Sequence, residues 1–167
     1  DLLDHYQAHR DRYFAAAQIT FTHIYFGAEQ HGEQALAKAA EELAHVNEKS
    51  LPFHLAASRG DHFLYHRNYV NKELEEVASH FGNSFANDVF ELQTEDATWQ
   101  GPFVSAYGAH LVLVTSMKAG YFPALDEVSA RVANDVARVK VEEAQEKLYQ
   151  EMRRAYVIEI VAPDESE

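Results

Sequence analysis

The chain has 167 residues with 14 basic and 27 acidic side chains, a formal net charge of −13 that repels phosphate backbones and anionic lipid surfaces and argues against nucleic-acid partners. A composition of 47% hydrophobic and 25% charged residues is ordinary for a globular chain, enough for one domain with a real core or a small domain carrying extra elements. There is no cysteine, which excludes zinc ribbons, thiol nucleophiles and disulfides together, and the apolar runs are too short for a bilayer span or a signal h-region.

The first residue is Asp1, with no methionine before it, which points to an excised or processed chain from which an export signal could have been cut. Over 2–17, Leu2, Leu3, Tyr6, Arg10, Tyr13 and Phe14 fall at three- and four-residue steps, predicting an amphipathic helix with an aromatic face. The period then changes to two. In ITFTHIYF (19–26), Ile19, Phe21, His23 and Tyr25 share one face, and the β-branched and aromatic residues predict a strand with His23 in its middle. After Gly27, residues 31–49 carry Leu36, Ala39, Ala40, Leu43 and Val46 at helical spacing, predicting a surface helix.

A second short strand is predicted in DHFLYHRNY (61–69), followed by a helix that Asn71 caps and Gly82 stops. SFANDVFEL adds a short helix, in which Phe85 and Phe90 continue the near-helical spacing of Phe81 in the ordinary pattern of core residues. In WQGPFVSAYGAHLVLV (99–114), Gly101-Pro102 and Tyr107-Gly108 punctuate as turns, and His110 opens a run of strand formers, Leu111 to Val114. From Leu125 to about Ala155, Leu125, Val128, Val132, Val136, Val139, Ala144, Leu148 and Met152 fit one helix with a slip near Glu143. Such a helix is roughly 45 Å long, more than a compact domain of this size is wide, so its partners are the N-terminal helix or the equivalent helices of another copy. YVIEIV (156–161) alternates as a terminal strand, and 162–167 reads as a frayed acidic tail.

The order helix, β-α-β-α-β-β, long helix predicts an α+β fold. Its core spans 19–117, flanked by an N-terminal helix at 1–18 and by the long helix and terminal strand at 118–161, with the Gly and Pro of KAGYFPA at the boundary. Two strand histidines, one in the first strand and one in the last, are the unusual feature, because neighbouring strands of one sheet could bring His23 and His110 together. A lone strand histidine is more often a satisfied core residue; the pair shifts that balance. A different reading is a metal site, since His5 and His9 are four apart on a helix, as are His62 and His66 if that stretch is helical. That spacing is common by chance in a chain with ten histidines. Glu41-Glu42 and Glu75-Glu76 read as solvated helix faces rather than catalytic pairs.

ITFTHIYF before a helix, FGNSFANDVFEL, and the closing GPFVSAYGAHLVLV together resemble the parvulin-type (rotamase, PpiC-like) peptidyl-prolyl cis-trans isomerases over about 19–116, with a looser likeness to their exported, chaperone-type members beyond it. The resemblance implies a small antiparallel sheet with surrounding helices, and a helical annex made by the two flanking segments. It makes His23 and His110 the catalytic histidine pair, Phe81 and Phe85 the walls of a proline pocket, and Ser105 and Tyr107 substrate-binding rim positions. In that family a Cys or Asp precedes the second strand, ahead of a Gly-Gly-Asp-Leu-Gly-like segment. Here Asp61 of RGD matches the Asp of the segment, and nothing in FHLAASR fills the catalytic polar position.

No metal or cofactor is implied. The expected partners are proline-containing polypeptide clients, whose X-Pro bonds the protein would isomerise to assist folding. The alternative is a catalytically weak or inactive polypeptide-binding chaperone module. A periplasmic setting, an inner-membrane anchor outside these residues and a homodimer through the flanking helices complete what the resemblance implies.

Overall fold

The period-two stretch around His23 forms β1, Gln18–Gly27, which pairs along its length with β4, Gly108–Lys118, in the computed structural model, where residues 1–56, 58–92, 94 and 98–156 are described. Outside this central pair lie β2, Asn68–Glu73, and β3, Gln100–Ser105, giving a four-stranded antiparallel sheet in the order β2-β1-β4-β3. Being central, β1 and β4 are apolar on both faces, and each face is covered by helices. Ile24, Phe26, Leu111 and Leu113 pack on Ala35, Ala39 and Val46 of α3, Ala35–Glu48. Phe21, Tyr25, Val112 and Val114 form the other face, against Val77 and Phe81 of α5, Leu74–Phe81, and Phe85 and Val89 of α6, Asn83–Phe90.

One side chain locks the end of α3 to the entry of β3. Asn47 donates through Nδ2 to the Trp99 carbonyl at 2.9 Å and accepts from the Trp99 N–H at 3.0 Å, while the indole N–H reaches the Leu51 carbonyl at 3.0 Å. A buried indole needs such an acceptor.

The elements differ from the sequence expectations where local geometry overrides period. The N-terminal helix, α1, spans only Leu2–Ala8; His9 leaves helical geometry and a 3-10 turn follows at Arg10–Tyr13. The helix expected over 31–49 is α3, preceded by one turn, α2 (Ala28–His31), and a break at Gly32; Leu36 faces solvent. α4, Phe53–Ala56, is a further short turn of helix. The strand expected at 61–69 starts at Asn68, and of the earlier residues only Asp61 bridges to β1, opposite Tyr25. Asn71 does not cap a helix. It lies in β2 at φ 48°, where the register with β1 shifts, and its N–H donates to Thr20 Oγ1 at 3.0 Å. Asparagine tolerates that left-handed conformation better than most residues, so the same chemistry serves an irregular strand instead of a cap.

The chain divides into two units, Ala15–Tyr121, which holds the whole sheet, and Asp1–Phe14 with the chain from Phe122 onward. Ala15 and Tyr121 exchange two backbone hydrogen bonds of 2.9 Å, so the ends of the sheet unit are clasped to each other. In the second unit α7 spans Leu125–Ala155, matching its predicted limits. Tyr6, Tyr13 and Val132 make a small core there with Leu125, Val128 and Val136 around it. Tyr6 donates its hydroxyl to the Pro123 carbonyl and Tyr13 donates to Asp135 Oδ2 at 2.9 Å. Further along α7, Leu148, Tyr149 and Met152 are exposed. The strand and tail expected after Tyr156 lie outside the described residues.

Candidate functional site

Strand register brings the two histidines together. Tyr25 of β1 lies opposite His110 of β4, and His23 lies opposite Val112. His23 and His110 are therefore diagonal neighbours on one face of adjacent antiparallel strands, within reach of each other's side chains. Their Nδ1 atoms are 3.2 Å apart and both rings are buried.

The hydrogen bonds around this pair assign every proton. His23 Nε2 lies 2.9 Å from the His66 carbonyl oxygen, which can only accept, so Nε2 carries the hydrogen and Nδ1 of the neutral ring is bare. His110 must then donate through Nδ1–H to His23 Nδ1, leaving its own Nε2 as an acceptor for the Ser105 hydroxyl at 2.7 Å. Ser105 Oγ in turn accepts from the Tyr107 N–H at 3.1 Å. With both imidazoles neutral, the result is an unbroken chain from the Tyr107 amide to the His66 carbonyl. Protonating both rings would set their two Nδ1–H groups against each other.

Burial works in the same direction. It lowers the pKa of His23 from 6.5 to about 4, with the Arg67 charge adding to the effect and the His66 carbonyl opposing it. His110 is also lowered, by burial and then by His23. Both shifts favour the neutral form of each ring at neutral pH.

Aromatic rings enclose the pair. Phe81 stacks on Phe85 at 4.2 Å and 11°, and both lie edge-on to His110 at 5.2 Å. Tyr25 stacks against His110 at 5.0 Å and donates its hydroxyl to the Tyr107 carbonyl at 2.7 Å. All six residues singled out from the sequence thus fall within one cluster. Phe81 and Phe85 are only 2% and 1% exposed, because a ring that sequence reading passed over, Phe63, lies on Phe81 at 5.1 Å and 15°.

Phe63 belongs to the irregular segment that follows Gly60. Gly60 has φ 70°, and a Cβ there would lie 2.4 Å from the Tyr25 carbonyl oxygen, so only glycine lets the segment approach β1 this closely. Asp61 fixes the crossing: its N–H donates to the Tyr25 carbonyl at 2.7 Å, and its Oδ2 accepts from the Gly27 N–H at 2.7 Å and pairs with His31 at 2.9 Å. That carboxylate is engaged in holding the backbone. Of the polar residues just before it, Ser58 donates to the Leu55 carbonyl at 3.2 Å and Arg59 pairs with Glu42 at 2.5 Å.

Two cavities open beside the pair. One of about 380 Å³ is lined by His23, Tyr25, Phe63, Tyr65, His66 and Arg67 among others. The second, of about 390 Å³, is lined by Tyr25, Phe63, Leu64, Ala106 and Tyr107 among others. Both are within the size range of small-ligand sites. Phe63 lines both and Tyr65 the first, and the signal for both rings was the aromatic density of DHFLYH. For the metal reading, His5 and His9 do meet at 4.6 Å, but among the described residues no group of three or more His, Asp or Glu is placed to hold a metal.

A family model described as the PPIC-type PPIASE domain matches residues 1–130. Comparison with curated proteins gives no match. Among solved structures the chain is similar to one from work on PEB4 and the periplasmic protein Cj1289, described as two structurally related SurA-like chaperones of Campylobacter jejuni. The identity is 16% and the TM-score 0.57, over 96% of this chain and 62% of that one. PrsA from Bacillus subtilis matches at 16% identity with a TM-score of 0.42, over 96% of this chain and 57% of that one. The chain therefore spans less than two thirds of the length of either structure, and the first likeness shows a shared fold.

Proposed function

The chain belongs to the family of PPIC-type PPIase domains, and from that premise we propose that its unit Ala15–Tyr121 catalyses cis–trans isomerisation of X-Pro bonds in unfolded or partly folded polypeptides. The observation that carries the reading is the neutral His23–His110 pair, 3.2 Å apart, enclosed by aromatic rings within the matched residues.

Rotation about an X-Pro bond breaks amide resonance against a barrier of about 18–20 kcal/mol, and takes roughly tens to hundreds of seconds unaided. No covalent bond is made, so a catalyst need only bind the twisted amide better than either planar form. The planar amide is the more polar species, and surroundings such as Phe81 and Phe85 penalise it relative to the twisted one. In this reading His23 and His110 fix the strand backbone and aim Ser105 and Tyr107, at the turn between β3 and β4, toward the exposed carbonyl.

The second reading is a polypeptide-binding chaperone module with little turnover. The chain has no cysteine, and the one carboxylate of residues 51–67, Asp61, is engaged in holding the Gly27 amide and His31, which favours it. Exchange spectroscopy on blocked X-Pro peptides separates the two readings. The isomerase accelerates cis–trans exchange at substoichiometric concentration, whereas the chaperone broadens peptide resonances on binding without changing the exchange rate. A setting outside the cytoplasm belongs to the same proposal, supported by the description of one structural neighbour as periplasmic. An inner-membrane anchor outside these residues and a homodimer through the exposed part of α7 extend it; sedimentation of the purified chain tests the dimer.

A further inference from the structure

Phe63 covers Phe81 on the side that faces the histidines. It is the outer member of a three-ring stack, 5.1 Å from Phe81, which lies 4.2 Å from Phe85. It meets both histidines edge-on, His23 at 5.0 Å and His110 at 5.2 Å, and meets Tyr107 edge-on at 5.7 Å. Its ring, with Tyr25 and His62, also lines both cavities, the first of which reaches His23.

The main chain of the segment bearing this ring is pinned at its two ends. At one end Asp61 is bonded to Tyr25 and Gly27; at the other, the carbonyls of His66 and Arg67 accept from the ring and the main-chain N–H of His23. Between them, among the described residues, 62–65 make no main-chain hydrogen bond, and Leu64 is 68% exposed. The centre is held through side chains, Phe63 in the ring stack and Tyr65 against His80 at 4.2 Å and hydrogen-bonded to Tyr107.

We infer that Phe63 is a built-in occupant of the proline pocket, a gate on the 61–67 segment that a client's proline must displace before it can lie on Phe81 between the histidines and Tyr107. The inference rests on the isomerase reading and adds to it a regulated entrance. Exchanging one apolar ring for another leaves buried apolar area nearly unchanged, so the displacement is close to balanced, and the apparent affinity for a client falls in proportion to the fraction of molecules with the gate open. The gate also makes the site selective for apolar rings: a peptide with alanine in place of proline offers nothing to replace Phe63.

The test uses the full chain with 4-fluorophenylalanine incorporated at position 63 alone, and a blocked Ala-Leu-Pro-Ala peptide with its Ala-Leu-Ala-Ala counterpart as control. The proline peptide should move the fluorine resonance from its ring-shielded position toward the solvent value, and the control should not. In parallel, Phe63→Ala should bind the proline peptide about tenfold more tightly than the unaltered chain, with Phe63→Leu in between. Peptide binding or accelerated exchange with the fluorine resonance unmoved overturns the gate and leaves the isomerase standing, as does a Phe63→Ala protein that folds and binds no better. A chain that neither binds the peptide nor speeds its exchange, with or without Phe63, overturns both. The fluorine experiment keeps the native side chain in place, so it stands even where Phe63→Ala fails to fold.

Discussion

With both imidazoles neutral, each proton in the network from the Tyr107 amide to the His66 carbonyl has one consistent position, and that assignment is open to direct measurement. Nitrogen-15 spectra at pH 7 should show His23 as the Nε2–H tautomer and His110 as the Nδ1–H tautomer, both persisting at pH 5.5, where exposed histidines are largely charged. Stability carries the same signature. The folded-state pKa of His23 lies at about 4, below its unfolded value of 6.5, and that of His110 is lowered as well. Between the folded and unfolded values the unfolded chain binds protons that the folded chain does not, so stability is complete above about pH 6.5 and falls as pH drops below it. Each ring contributes up to about 1.4 kcal/mol per pH unit in that window. Urea midpoints measured from pH 7.5 to 4.5 should show the decline, and a His23→Leu, His110→Leu protein should show less of it. Ser105→Ala removes both the donor to His110 and the acceptor for the Tyr107 amide, and should cost about 1–3 kcal/mol; an unchanged midpoint would mean the chain is not held through that hydroxyl.

At the scale of elements, legibility follows periodicity. The alternation of Phe21, His23 and Tyr25 places three side chains on one face of β1, and the run from His110 to Val114 does the same for β4, so the meeting of His23 with His110 is readable before any coordinates. The limits of α7 are readable for the same reason. Segments without a period are not: Phe63 is positioned by Gly60, by the Asp61 bonds and by the carbonyls of His66 and Arg67, all contacts with distant parts of the chain. The end of α1 is set by a turn whose Tyr13 packs beside Tyr6 and Val132, which helical spacing alone does not distinguish from a longer helix. Gly60→Ala puts a Cβ against the backbone of Tyr25 in a left-handed conformation, and is expected to lower the thermal midpoint sharply and loosen the Phe63 ring. Within α7, Val132→Ala should cost about 2 kcal/mol in chemical denaturation and Leu148→Ala almost nothing, because Val132 is buried and Leu148 is exposed.

For the molecule as a whole, the sheet unit closes on itself. Ala15 and Tyr121 bond to each other, and both helix layers that cover the sheet lie between them in the chain. A fragment of 15–121 is therefore expected to fold alone and keep whatever exchange activity the full chain has, which spectra of the fragment and its rate on an X-Pro peptide would check. The net charge of −13 opposes strongly acidic clients, so basic or neutral proline-containing segments are the better ligands. The proposed function depends on the histidine pair and its aromatic surroundings acting together on a rotating imide bond. The most direct measurement is the cis–trans exchange rate of a blocked X-Pro peptide with the full chain and with a His23→Ala, His110→Ala protein whose native spectrum is intact. The account predicts acceleration by the first and at least a tenfold loss in the second; equal rates for the two proteins would contradict it.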